Sequence, residues 1–120
     1  MGGFLKRFFA VGPGAGAELS DAEKVMAYAS AGANLALPRE ITHELHLPTE
    51  AGTRALLPII DRDDRVIHAL IDPNTGESRI TVKHTTILTP DLIERVRAEL
   101  EMAARSFGGT YAGWDASIRP

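Results

Sequence analysis

Four histidines, His43, His46, His68 and His84, are the residues of this chain with the most chemistry available to them, because imidazole moves protons near neutral pH and ligates metals. Their spacing does not assemble a site. His43 and His46 are three apart on an expected strand and so point to opposite faces, and His68 and His84 fall on different arms of an expected hairpin. No further histidine or carboxylate shares a zinc-ligand spacing with them. The expectation is therefore no metal and no cofactor, with His43 a hydrogen-bonded core residue and the other three at the surface. The nucleophiles are no better placed. There is no cysteine, Ser20 is committed to capping a helix, Ser106 lies late in another, and no serine sits in a nucleophile elbow. Asp61, Asp63 and Asp64 alternate with Arg62 and Arg65 and read as a solvated turn. Neither glycine-rich stretch matches a phosphate-binding loop. These residues predict no catalytic group, so the chain is expected not to be an enzyme.

The elements that would position these side chains follow from period and capping. Ser20 with Glu23 three residues on forms a capping box, opening a helix to about Ala31 with Leu19, Val25, Met26 and Ala29 as its apolar stripe and Gly32 as its stop. Alternation from Arg39 to Leu47 predicts a half-buried strand, with Ile41, His43, Leu45 and Leu47 on one face. A helix over 50–60 follows, short or kinked because Pro58 lacks a backbone donor. Strands over 65–71 and 79–88 flank the turn residues Asp72 to Glu77 and form a hairpin. Thr89 caps the strongest helix, with Pro90 at its first position and Leu92, Ile93, Val96, Leu100, Ala103 and Phe107 on one face. Gly108 and Gly109 end it before a last strand over 110–118. After the first helix the order is βαββαβ. The predicted fold class is α+β, a ferredoxin-like antiparallel sheet with helices on one face and an additional helix in front. Period two along the last strand puts Trp114 inward with Ala116 and Ile118, and Tyr111 outward with Gly113, Asp115 and Ser117.

Composition sets the class. A chain of 120 residues, 44% hydrophobic and 24% charged with a net charge of -3, suits one globular domain and offers no positive field for a phosphate backbone. An RNA-stacking sheet is also unsupported: the central strands carry no exposed aromatic, and Tyr111 and Trp114 stand alone on the last strand. No direct nucleic-acid contact is expected. Residues 1–19 read as an amphipathic and glycine-rich segment preceding a single domain over 20–120. Phe4, Leu5, Phe8 and Phe9 flank Lys6 and Arg7, and the apolar run is too short and too broken for a membrane span or a signal peptide. A cytoplasmic protein is expected, its first residues a frayed start, a segment packed on its own domain, or a short helix docking on a partner or membrane surface.

The run Ala104-Arg105-Ser106-Phe107-Gly108-Gly109-Thr110-Tyr111-Ala112-Gly113-Trp114-Asp115 resembles the signature of the ribonuclease E inhibitor B family, in which a helix ends at a small residue and leads into a Tyr-Asp-Gly-Trp strand. Helix, loop and strand order are similar over roughly residues 21–118. Ala112 stands where the family has aspartate, and the very acidic stretches of its best-known members are absent. The resemblance implies a small cytoplasmic protein that binds the ribonuclease, possesses no chemistry of its own, and uses Tyr111, Gly113, Trp114 and Asp115 as partner-binding residues. Two other readings remain open: a small-ligand or enzymatic domain with a cleft lined by His43, His68 or His84, and a structural module whose open sheet face pairs with a second copy as a homodimer.

Overall fold

The computed structural model describes residues 19–117. Three helices, α1 (Asp21–Ser30), α2 (Glu50–Ile60) and α3 (Pro90–Ser106), lie with four strands, β1 (Pro38–Leu47), β2 (Arg65–Ile71), β3 (Ser78–Ile87) and β4 (Thr110–Ala116). The strands form one antiparallel sheet in the order β2-β3-β1-β4, so the fold is α+β. The expected N-terminal segment lies outside the described residues up to position 18, as does Ile118.

Local signals set the helix ends. Ser20 and Glu23 make both bonds of the capping box, while Thr49 and Thr89 accept from the backbone N–H groups of Gly52 and Leu92, each satisfying one donor that the first turn leaves free. Pro58 falls in the last turn of α2, where the helix ends two residues later. At the far end of α3 the N–H groups of Gly108 and Gly109 return to Arg105 and Ala104, closing the helix with a Schellman pattern. A Cβ on Gly109 would come 2.1 Å from Leu47 Cδ2 and 2.4 Å from the His46 carbonyl oxygen. Only glycine lets the chain leave α3 so close to β1.

All three helices cover one face of the sheet, and the core beneath them has two apolar parts. Leu45, Leu47, Leu56, Ile60, Ile80, Val82 and Leu100 form one. Val25, Ile41, Leu88, Ile93 and Trp114 form the other. Between Ile41 and Leu45 on β1 stands His43, so the division runs through a polar residue in the middle of the sheet. The opposite face is mostly polar along β1 and β3, where Glu44 and His46 touch at 2.5 Å; Val66 and Leu70 are exposed along β2.

Three expectations need correction. The inward side of α1 is not the stripe Leu19, Val25, Met26, Ala29: Met26 is 61% exposed, and Lys24 and Val25 are the helix's buried residues. A lysine replaces the expected apolar residue because its ammonium finds a backbone carbonyl, as described below. His84 is buried rather than at the surface, because β3 turns it towards His43. Tyr111 does not face away from Trp114. Leu45 pairs with Tyr111 but Glu44 with Gly113, leaving Ala112 as an extra residue. This β-bulge shifts the alternation by one, so Tyr111 and Trp114 stand opposite Leu45 and His43 on the same, helix-covered face. Gly113 at φ 137° supplies the backbone that the bulge requires.

Candidate functional site

One polar row crosses the covered face and takes a residue from every strand. Tyr111 on β4 places its hydroxyl 2.8 Å from His43 Nδ1 on β1. His43 Nε2 lies 2.9 Å from His84 Nε2 on β3, the two rings stacked with centroids 5.1 Å apart. His84 is the cross-strand neighbour of Arg65 on β2, and Arg65 holds both carboxylate oxygens of Glu99, at 2.8 and 3.0 Å. The row explains why these polar groups tolerate burial: each meets a partner inside. The diagonal approach of residues 43 and 84 across paired strands was not visible in their separation along the chain.

Electrostatics keep the row neutral at its centre. Burial, with the charges of His84, Arg65 and Lys24 around it, pushes the His43 imidazole down to about 3. Burial and Arg65 also lower His84. Burial, reinforced by Asp21, raises the Tyr111 phenol well above its ordinary value, so it stays protonated. The Arg65 hydrogen bond holds Glu99 below the usual carboxylate range against the opposing effect of burial. With both imidazoles neutral, one consistent arrangement has the Tyr111 hydroxyl donating to Nδ1 and the Nε2–H of His43 donating to His84. Tyr111→Phe removes that donor from a buried acceptor and is expected to cost about 1 to 3 kcal/mol, measurable by chemical denaturation. Unchanged stability would show that His43 Nδ1 finds another partner.

At its β4 end the row opens into a cleft of about 300 Å³ between α1, α3 and β4. Asp21, Lys24, Arg97, Glu101, Tyr111 and Trp114 line it. Trp114 is 2% exposed and is covered by α1: its indole N–H donates to Asp21 at 3.1 Å, its ring stacks on Tyr28 with centroids 5.8 Å apart, and Lys24 Nζ sits 4.4 Å from the ring centroid. Lys24 also donates to the Trp114 carbonyl. Tyr28 bonds the Asp115 carboxylate and accepts the backbone N–H of Ala116 at 3.0 Å. The next N–H, that of Ser117, goes to Glu40 on β1, so Lys24 and Tyr28 serve the edge of β4 that β1 leaves open. Asp21 binds Arg97 at 2.8 Å.

Of the four sequence-predicted residues on β4, Tyr111, Gly113 and Trp114 line this cleft, whereas Asp115 lies outside its lining and bonds Tyr28 of α1. Gly113, Trp114 and Asp115 are buried and Tyr111 is partly buried. Asp21, Lys24, Tyr28 and Arg97, which sequence reasoning did not connect with them, complete the arrangement; the i, i+3, i+7 spacing of the first three along α1 was the available signal. The histidines do not converge as a group, since His68, on β2, pairs with Thr81 on β3 and is exposed. Among the described residues no group of three or more His, Asp or Glu side chains is placed to hold a metal ion, and no helix is long and apolar enough to cross a membrane.

The sequence profile of the family described as regulator of ribonuclease activity B matches residues 20–116, from the cap of α1 to the end of β4. The chain belongs to the regulator of ribonuclease activity B family. That match takes in the polar row of this family member and all of the cleft's lining except Leu19. No curated protein matches it. Among solved structures, the regulator-family chain is similar to a de novo designed protein, Foldit4, with a TM-score of 0.47 and 13% identity over 67% of this chain and 96% of the designed one.

Proposed function

We propose that this chain is a cytoplasmic, non-catalytic regulator that binds ribonuclease E and lowers its activity, with β4 and the cleft beside it as the partner-facing region. The family match over residues 20–116 carries this reading. The site's chemistry supports it. The buried imidazoles are stacked under helices instead of lining an opening, and the cleft offers charges of both signs, which suit recognition of a protein surface. We read the βαββαβ order and the strand order β2-β3-β1-β4 as ferredoxin-like. Tyr111, Gly113, Trp114 and Asp115 form the recognition element, Gly113 and Trp114 by shaping the cleft and Tyr111 by forming its floor.

The test pairs capture with inhibition. Purified chain should retain ribonuclease E from cell extract and slow its cleavage of a single-stranded RNA. Glu101→Lys reverses a charge on the cleft wall, at a residue whose other contact is the exposed i,i+4 pair with Arg105. It should weaken capture about five-fold or more, the effect of losing a contributing interface residue, with the melting temperature held within a few degrees. Neither capture nor inhibition by the unaltered chain would reject the reading; full capture by Glu101→Lys would move the interface away from the cleft.

A further inference from the structure

We propose that the seat of α1 is a docking groove for an amphipathic helix of the protein partner, which α1 occupies within the same chain as a stand-in. The proposal rests on the regulator reading above and names the kind of element that the partner inserts.

Helix-in-groove recognition uses anchors at i, i+3, i+4 and i+7. On α1 these are Asp21, Lys24, Val25 and Tyr28, and each has its own receptor. Asp21 meets Trp114 Nε1 at 3.1 Å and Arg97 Nε at 2.8 Å. Lys24 meets the Trp114 carbonyl and the indole face. Val25 enters the apolar part of the core shared with Ile41, Leu88 and Ile93. Tyr28 stacks on Trp114 and binds the edge of β4. The groove therefore specifies a ligand by charge and shape: carboxylate, ammonium, aliphatic and phenol, in that order along one helix face.

The hold on α1 is of a kind that a competitor replaces. Val25 is the one apolar side chain that α1 buries, whereas α3 buries Ile93, Leu100, Ala103 and Ala104. The other contacts are the hydrogen bonds of Asp21, Lys24 and Tyr28 and the cover of the indole by Tyr28 and Lys24, all of which a competing helix that carries the same groups remakes. Removing α1 uncovers the Trp114 indole and the free edge of β4 together. That reconciles a recognition role for Gly113, Trp114 and Asp115 with their burial: they become accessible when α1 leaves.

The probe is a labelled peptide with the sequence of residues 18–33, added to the full chain carrying Val25→Ala, which loosens the helix in place. Fluorescence anisotropy should show saturable binding at least about ten-fold tighter than to the unaltered chain, where the tethered helix competes at about millimolar effective concentration. Asp21→Ala and Tyr28→Phe in the peptide should weaken it about ten-fold. In the unaltered chain, α1 amides should exchange with solvent at least about ten times faster than those of α3, as expected for a locally opening element. Exchange of α1 only through global unfolding overturns the proposal. So does a failure of the peptide to bind a loosened chain whose sheet amides stay protected; should Val25→Ala not keep that protection, Ser20→Ala loosens α1 from outside the groove and takes its place. Ribonuclease E capture on the same samples separates the two readings. Peptide binding without capture in any sample supports the groove and rejects the ribonuclease as partner, while capture undiminished at saturating peptide overturns the groove as the partner's seat.

Discussion

Trp114→Ala is expected to lower the unfolding free energy by about 3 to 5 kcal/mol, the range for truncating a large buried aromatic. The residue touches three elements at once. Its ring fills the space next to Val25, Ile41, Leu88 and Ile93, its N–H satisfies Asp21, and its face carries Tyr28 and Lys24. Alanine leaves a cavity on the sheet side and strands a partly buried carboxylate whose remaining partner is Arg97. The loss should divide unequally, with α1 amides losing protection first and the region around Leu45, Leu56 and Leu100 last. Circular dichroism in urea gives the total, since the substitution removes the chain's single tryptophan. A loss below about 1 kcal/mol would mean that α1 collapses into the vacated space.

Acid should destabilise the domain well before its carboxylates titrate. In the unfolded chain His43 protonates near the ordinary 6.5, whereas in the folded chain it does so only at about 3. The unfolded state therefore binds more protons between those values, and stability is fully present above pH 6.5 and falls as pH drops. The slope is about 1.4 kcal/mol per pH unit and the total is on the order of 5 kcal/mol at pH 3. His84, lowered by burial and Arg65, adds to the same slope with the same sign. Protonation of either ring would place a cation against its neighbour at 2.9 Å, close to Arg65 and Lys24. Denaturation midpoints at pH 7, 6, 5 and 4.5 measure this. His43→Leu should flatten the dependence in that interval, and a parent chain equally stable at pH 7 and 5 would show that His43 accepts its proton without unfolding.

Much of the architecture was legible in advance because the signals were local. Capping by Ser20 and Thr89, the turn at Asp72 to Glu77 and the apolar period of α3 depend on neighbours a few residues away, and each element appears within a residue or two of its expected bounds. The site was less legible because it depends on register and on distant partners. Counting by twos along β4 put Tyr111 outward; one extra residue at Ala112 reversed it. Gly113 inside a strand was the available warning, since glycine there commonly marks a bulge. His84 looked like a surface residue because only the pairing of β1 with β3 brings it to His43. Lys24 was misplaced for a different reason: a hydropathy stripe cannot show that a lysine is buried by bonding a backbone carbonyl and covering an indole.

The central position of β1 also governs how this chain can come together during synthesis. β1 is made before both strands that flank it, and its partners arrive late: His43 waits 41 residues for His84 and 68 for Tyr111. Among the described residues, neither half contains a sheet of its own beyond the β2–β3 hairpin, and a lone hairpin is marginal in water. Such non-local closure slows folding and makes it a single late event. Until β4 leaves the ribosome, one edge of β1 stays unpaired and the core around Val25, Ile41 and Ile93 lacks Trp114, and nascent chains stalled before position 110 should remain protease-sensitive and chaperone-bound.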